Sequence, residues 1–146
     1  MPSADDDAPV PERAWIALGS NLGDRAAHLA RARAGLAAQP GTRVVAASSV
    51  EETAPLAGMD QPPYLNQMVL VETVLEPHAL LEVLHRLEAE AGRIRDARWG
   101  PRTLDLDIVR YGDRVIVDAV LTVPHPELSR RDFWQRELAE LAVHER

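Results

Sequence analysis

The order in which strand-like and helix-like segments follow one another constrains this chain more than any other feature. Ala14 to Leu18 is a short apolar run that stops at the turn-forming Gly19, Ser20 and Asn21, which predicts a first strand. Asp24 can cap the next segment, where Ala27, Leu29, Ala30, Ala34 and Leu36 to Ala38 recur at near-helical spacing before Pro40 and Gly41 end the pattern. Arg43 to Val50 predicts a second strand, Thr53 to Pro63 a proline-rich loop, and Leu65 to Thr73 a third strand. Pro77 suits the first turn of a second helix with the stripe Leu80, Leu81, Leu84, Leu87 and Ala91, stopped at Gly92. Leu104 to Tyr111 predicts a fourth strand, Val115 to Val117 a hairpin-like fifth, and Arg131 to Val143 a final helix. The order βαββαβ is that of an α+β, ferredoxin-like sandwich, helices on one face of an antiparallel sheet, with an added hairpin and C-terminal helix.

Residues 1–12, acidic and rich in proline, cannot bury enough apolar surface to order themselves and predict a disordered tail, leaving 13–146 as one domain. The formal net charge of −7 disfavours a broad footprint for nucleic acid or an anionic membrane, so any polyanion must meet a local basic patch. All 16 basic residues are arginine. Without lysine there is no P-loop, no protein-kinase strand lysine and no Schiff base. Without cysteine there are no disulfides, thiolate metal sites or thiol nucleophiles. No secretory signal or membrane-length apolar run is visible, so the expected location is the cytoplasm.

The chemistry concentrates between Arg93 and Asp107. Asp105 and Asp107 are two apart in an apolar strand, so both carboxylates leave one face, about 6–7 Å apart along the backbone, while Leu104, Leu106 and Ile108 face the other way. Unpaired, they repel by roughly 3 kcal/mol at an effective dielectric of about 20; a divalent cation reverses that, and hard oxygen ligands suit magnesium. Arg93, Arg95, Arg98 and Arg102, interleaved with Trp99, Gly100 and Pro101, can balance a triphosphate through guanidinium forks. Either feature alone fits a solvated strand or loop in an arginine-rich protein. Together they fit a magnesium-dependent phosphoryl or nucleotidyl transferase, and a non-catalytic module of the same fold stays open at this level.

Arg98 to Ile108, RWGPRTLDLDI, closely resembles the signature of the 6-hydroxymethyl-7,8-dihydropterin pyrophosphokinase family of folate biosynthesis. IALGSNLGD from Ile16, ETAPLAGMDQPPYLN from Glu52, AGRIR from Ala91 and LTVPHPELSRRDF from Leu121 agree with that family in order and spacing. The resemblance implies transfer of a pyrophosphoryl group from ATP to the pterin, with AMP released, by a monomer without nucleic-acid or membrane partners. It implies two magnesium ions on Asp105 and Asp107, and catalytic roles for Arg93 and Arg102. It places Glu88, Arg95, Trp99, Ile108, Thr122, His125 and Arg131 at the ATP site, with a looser match at His85. The pterin is expected between the rings of Tyr64 and Phe133, closed over by Trp99 and read by Asn66 and the Thr53 to Leu56 backbone. The chain departs from the family pattern at Glu51, where an aromatic is frequent, at Ala54, where some members have proline, in an arginine loop one residue shorter than in some members, and in WQRELAELAVHER after Phe133. His28, His78 and His144 match nothing functional.

Overall fold

A computed structural model describes residues 9–54, 61–92 and 103–145. Strand β1 (Glu12–Ser20) pairs antiparallel with both β4 (Tyr64–Thr73) and β5 (Asp105–Tyr111), and β2 (Thr42–Ala47) pairs with the other side of β4. The resulting order, β2-β4-β1-β5, is that of the ferredoxin-like sheet, with the short β3 (Glu51–Thr53) added alongside β4. β1 begins two residues before the expected Ala14 and takes Glu12, expected in the tail, into register with Thr73.

Helix α1 (Arg25–Ala37) starts where expected, because the Asp24 carboxylate accepts the Ala27 N–H at 3.1 Å. Helix α2 (Pro77–Glu90) has proline in its first turn and ends against Gly92, whose φ of +83° few side chains tolerate. Both helices cover one face of the sheet. Ala14, Ile16 and Leu18 of β1, Val69 and Val71 of β4, and Leu104, Leu106 and Ile108 meet Leu29, Leu36, Leu80, Leu84 and Leu87 there. Each large side chain so buried contributes about 1.5–3 kcal/mol.

The opposite face is also covered, by helix α3 (Asp132–Leu141). Trp134 and Leu141 pack on Trp15, Ala17, Met68, Leu70 and Val109, so the protein has two apolar layers on either side of its sheet. The expected second strand is divided. β2 ends at Ala47 because Ser48 competes for the ladder: its hydroxyl accepts the Met68 N–H at 2.9 Å and its carbonyl accepts the Gln67 amide at 2.7 Å. The expected fifth strand pairs with a later segment. β6 (Ile116–Val117) joins β7 (Thr122–Val123) across a turn in which Asp118 accepts the Val120 and Leu121 N–H groups at 2.9 and 2.8 Å. Among the described residues no helix is long and apolar enough to cross a membrane.

Candidate active site

The register of the sheet brings the metal-type carboxylates and the expected ring-reading groups onto one face. Asp105 lies opposite Gly19, Gly19 opposite Asn66, and Asn66 opposite Glu51; in the next row Asp107 lies opposite Ala17 and Ala17 opposite Met68. Ala17 and Met68 belong to the layer beneath α3, so these rows look out on the α3 side. The order has a close fit at its centre. A Cβ on Gly19 would stand 3.3 Å from Asn66 Oδ1 and 3.5 Å from a Tyr64 ring carbon, so glycine lets both side chains lean over β1.

Beside Asp105 and Asp107 opens a cleft of about 430 Å³ between the end of α2, β5 and the 118–127 segment. Its lining includes His85, Glu88, Ile108, Thr122 and His125 together with both aspartates. Glu88 is 2% exposed, and its carboxylate accepts the Leu106 N–H at 2.9 Å, which ties α2 to the backbone between the two aspartates. Glu88→Ala is expected to leave that buried N–H without its acceptor, lowering stability by about 1–3 kcal/mol in urea unfolding, whereas Glu88→Gln keeps the bond and loses less.

His125 is fixed on three sides. Its N–H donates to the Val109 carbonyl at 2.8 Å, its Nδ1 accepts the Glu127 N–H at 3.1 Å, and its ring meets Trp134 edge-on at 4.9 Å. With Nδ1 accepting, the neutral ring carries its proton on Nε2, which stands 3.5 Å from Asp107 Oδ1. Arg131 lies with its guanidinium 4.4 Å from the Trp134 ring centroid, and Phe133 meets the same ring at 6.2 Å. Arg131 is not part of the cleft lining; it is held to the site through Trp134.

On the β4 side of the row, Asn66 donates to Thr53 Oγ1 at 2.6 Å, and Thr53 lies in register with Tyr64. The approach to Tyr64 is held from the first loop: Asn21 donates to Gln61 and the Pro62 carbonyl, each at 3.3 Å, and Arg25 to the Pro63 carbonyl at 2.8 Å. Leu56, Arg93, Arg95, Trp99 and Arg102 lie outside the described residues.

The loop contacts of Asn21 and Arg25 and the platform of Trp134 escape a reading of motifs. Asn21 sits inside IALGSNLGD, so its position was visible and its task was not. Trp134 falls in WQRELAELAVHER, the stretch that departs from the family pattern, so no motif points to it.

Residues 15–143 match the model of the 7,8-dihydro-6-hydroxymethylpterin-pyrophosphokinase family. The chain belongs to this family. It is similar to the 2-amino-4-hydroxy-6-hydroxymethyldihydropteridine pyrophosphokinase of Methylorubrum extorquens, at 47% identity over 130 residues, 89% of this chain and 82% of that one. It is 44% identical over 128 residues to the protein of that name from Bacillus subtilis, covering 88% of this chain and 77% of the relative. With the protein of that name from Haemophilus influenzae it shares 43% over 129 residues, 88% and 81% of the two chains. The pyrophosphokinase family match covers every residue that lines the cleft, from Leu81 to Glu127.

Proposed function

We infer that this chain transfers the pyrophosphoryl group of ATP to 6-hydroxymethyl-7,8-dihydropterin in folate biosynthesis, as a magnesium-dependent monomer in the cytoplasm. The observation that carries the reading is the single face on which Asp105, Gly19, Asn66 and Glu51 stand in one cross-strand row, with the cleft at its β5 end. Strands lie about 4.8 Å apart, so Asp105 and Asn66, two strands removed, are about 10 Å from one another at the backbone. That span accommodates a triphosphate end and a flat heterocycle side by side.

Asp105 and Asp107 fit magnesium. Both are half-buried, and both are hard oxygen donors on one face. Magnesium is commonly held by one or two carboxylates, its other positions going to water and phosphate. Two bound ions would neutralise phosphate charge and acidify the pterin hydroxyl.

The residues of the chain divide the remaining work. His125 Nε2 stands 3.5 Å from Asp107 Oδ1, with its proton available to a phosphate oxygen, so His125 can donate to the α-phosphate as AMP departs. Thr122 and Ile108 line the nucleotide end of the cleft. Arg131 on its Trp134 platform, with Arg93, Arg95 and Arg102, supplies guanidinium donors to phosphate oxygens. Asn66 and Thr53, already bonded to each other, present fixed polar atoms to the ring edge, and Tyr64 and Phe133 offer aromatic faces, with Trp99 closing over them. The hydroxymethyl oxygen then attacks the β-phosphorus in line; its bond to phosphorus forms as the bond from the β-phosphorus to the α,β-bridging oxygen breaks, and AMP leaves with that oxygen. An aspartate oxygen takes the hydroxyl proton.

Incubation with ATP, magnesium chloride and hydroxymethyldihydropterin is expected to release one AMP for each pterin pyrophosphate formed, resolved by chromatography. Release of ADP or of free pyrophosphate in place of AMP would point to a different transferase on the same fold.

A further inference from the structure

The buried side of α3 consists of Trp134, Glu137 and Leu141, so a carboxyl group occupies the middle of an otherwise apolar stripe. Glu137 is 1% exposed, and neither of its oxygens has a hydrogen-bond donor among the described residues. Glu51 Oε1 is also buried without a donor. Glu51 reaches the same helix, its other oxygen Oε2 accepting from Arg136, the residue before Glu137, so the donorless carboxyl oxygens of both residues lie buried in the seam between β3 and α3. Two carboxyl groups can bond only when a proton lies between them, and an ionised pair in that position would be both buried and repelled.

Among the described residues, no neighbouring charge offers a different solution. Arg136 is committed to the other Glu51 oxygen, Oε2, with contacts of 3.3 Å from Nε and 3.2 Å from Nη2. The Glu140 carboxylate accepts the Ser49 N–H at 2.8 Å and its hydroxyl at 2.9 Å. β4, on which α3 packs, brings the uncharged Met68 and Leu70. Ser48 directs its hydroxyl to the Ser49 carbonyl.

We propose that Glu137 and Glu51 share one proton at neutral pH, and that this proton clasps the C-terminal helix to the edge strand carrying Thr53. Glu137 is thereby a positioning residue for the pterin-side wall. The clasp itself stands on packing; its bearing on the pterin rests on the function proposed above. The path is short: Glu51 and Thr53 belong to the same three-residue strand, and Thr53 holds Asn66. Burial first, then the hydrogen bond and charge of Glu51, push the Glu137 carboxyl from an ordinary 4.5 up to about 9, with Arg136 opposing and Glu140 adding to the rise.

The sign of the linkage follows. The folded protein keeps a proton that the unfolded chain releases, so the contribution to stability is complete below about 4.5, declines as pH rises, and is gone above about 9. Urea unfolding of the wild type, Glu137→Gln and Glu137→Leu from about pH 5 to pH 9 tests it. The wild-type folding constant is expected to fall by up to about tenfold per pH unit relative to either variant. Glutamine keeps a donor for Glu51 with no proton to lose, and leucine serves should the amide pack poorly. At pH 7 the infrared carbonyl band of a protonated carboxylic acid is expected in the wild type and absent from Glu137→Gln. The KM for the pterin should rise severalfold above about pH 9 in the wild type and stay level in Glu137→Gln, with kcat alike in both. Parallel unfolding curves in all three proteins would overturn the clasp, as would a magnesium-induced rise in Tm that Glu137→Gln abolishes, which would make the pair a cation site. Matching pH profiles of pterin KM would overturn the positioning role. Failure of the wild type to release AMP at any pH would strike the functional reading and leave the unfolding curves as they are.

Discussion

Asp107→Ala is expected to lower turnover by about a thousandfold or more while leaving the fold in place. The size follows from the proposed role. A carboxylate that seats a metal against a transferring phosphoryl group supports several kcal/mol of transition-state stabilisation, and each 1.36 kcal/mol is about tenfold in rate. The retained fold follows from what Asp107 touches. Its side chain is 31% exposed and faces His125 Nε2 at 3.5 Å, a contact too long and too exposed to carry much stability. In the absence of metal the melting temperature should therefore hold within a few degrees of wild type. Stopped assays of AMP release, paired with thermal melts, check both halves. Turnover within tenfold of wild type would remove the metal pair from the mechanism, and a collapse of the melt would make Asp107 a structural residue.

How much of this was legible in the sequence depends on the range over which each cause acts. The strand–helix order and both helix starts could be read because Asp24 and Pro77 act on their own first turns. The outward direction of Asp105 and Asp107 could be read because a strand alternates, and Leu104, Leu106 and Ile108 do enter the helix-side core. The partner of β6 could not. Gly112 and Asp113 mark a turn, yet the Gly112 N–H donates to the Arg13 carbonyl at 2.7 Å, and the pairing of β6 is settled by Asp118 further along. Nor could the side of the sheet taken by α3 be read, since an amphipathic pattern says that a face is buried and never against what. The row from Asp105 through Gly19 and Asn66 to Glu51 was equally out of reach. It depends on register between segments far apart in the chain, and only the resemblance joined their residues beforehand.

Trp134→Ala is expected to be the most damaging single change on the α3 side, because it removes packing and site geometry together. Trp134 is 2% exposed at the centre of the second apolar layer, and truncating a buried tryptophan costs about 3–5 kcal/mol. Against a typical domain stability of about 5–15 kcal/mol that is a large fraction, and for a chain of this length it corresponds to a fall in Tm of roughly 10–20 °C. The functional loss has a separate cause. His125 meets the indole edge-on at 4.9 Å and Arg131 lies 4.4 Å from its centroid, so one ring orients both groups assigned to the phosphates. Trp134→Phe separates the two effects. It restores most of the apolar volume but offers a smaller face, and a weaker one for a cation. At a temperature where it remains folded, Trp134→Phe should therefore show a raised KM for ATP and a smaller loss of kcat, with pterin KM little changed. If pterin KM rises as much as ATP KM, the ring supports the sheet face as a whole. An ATP-specific effect instead ties its role to His125 and Arg131, the two side chains it carries.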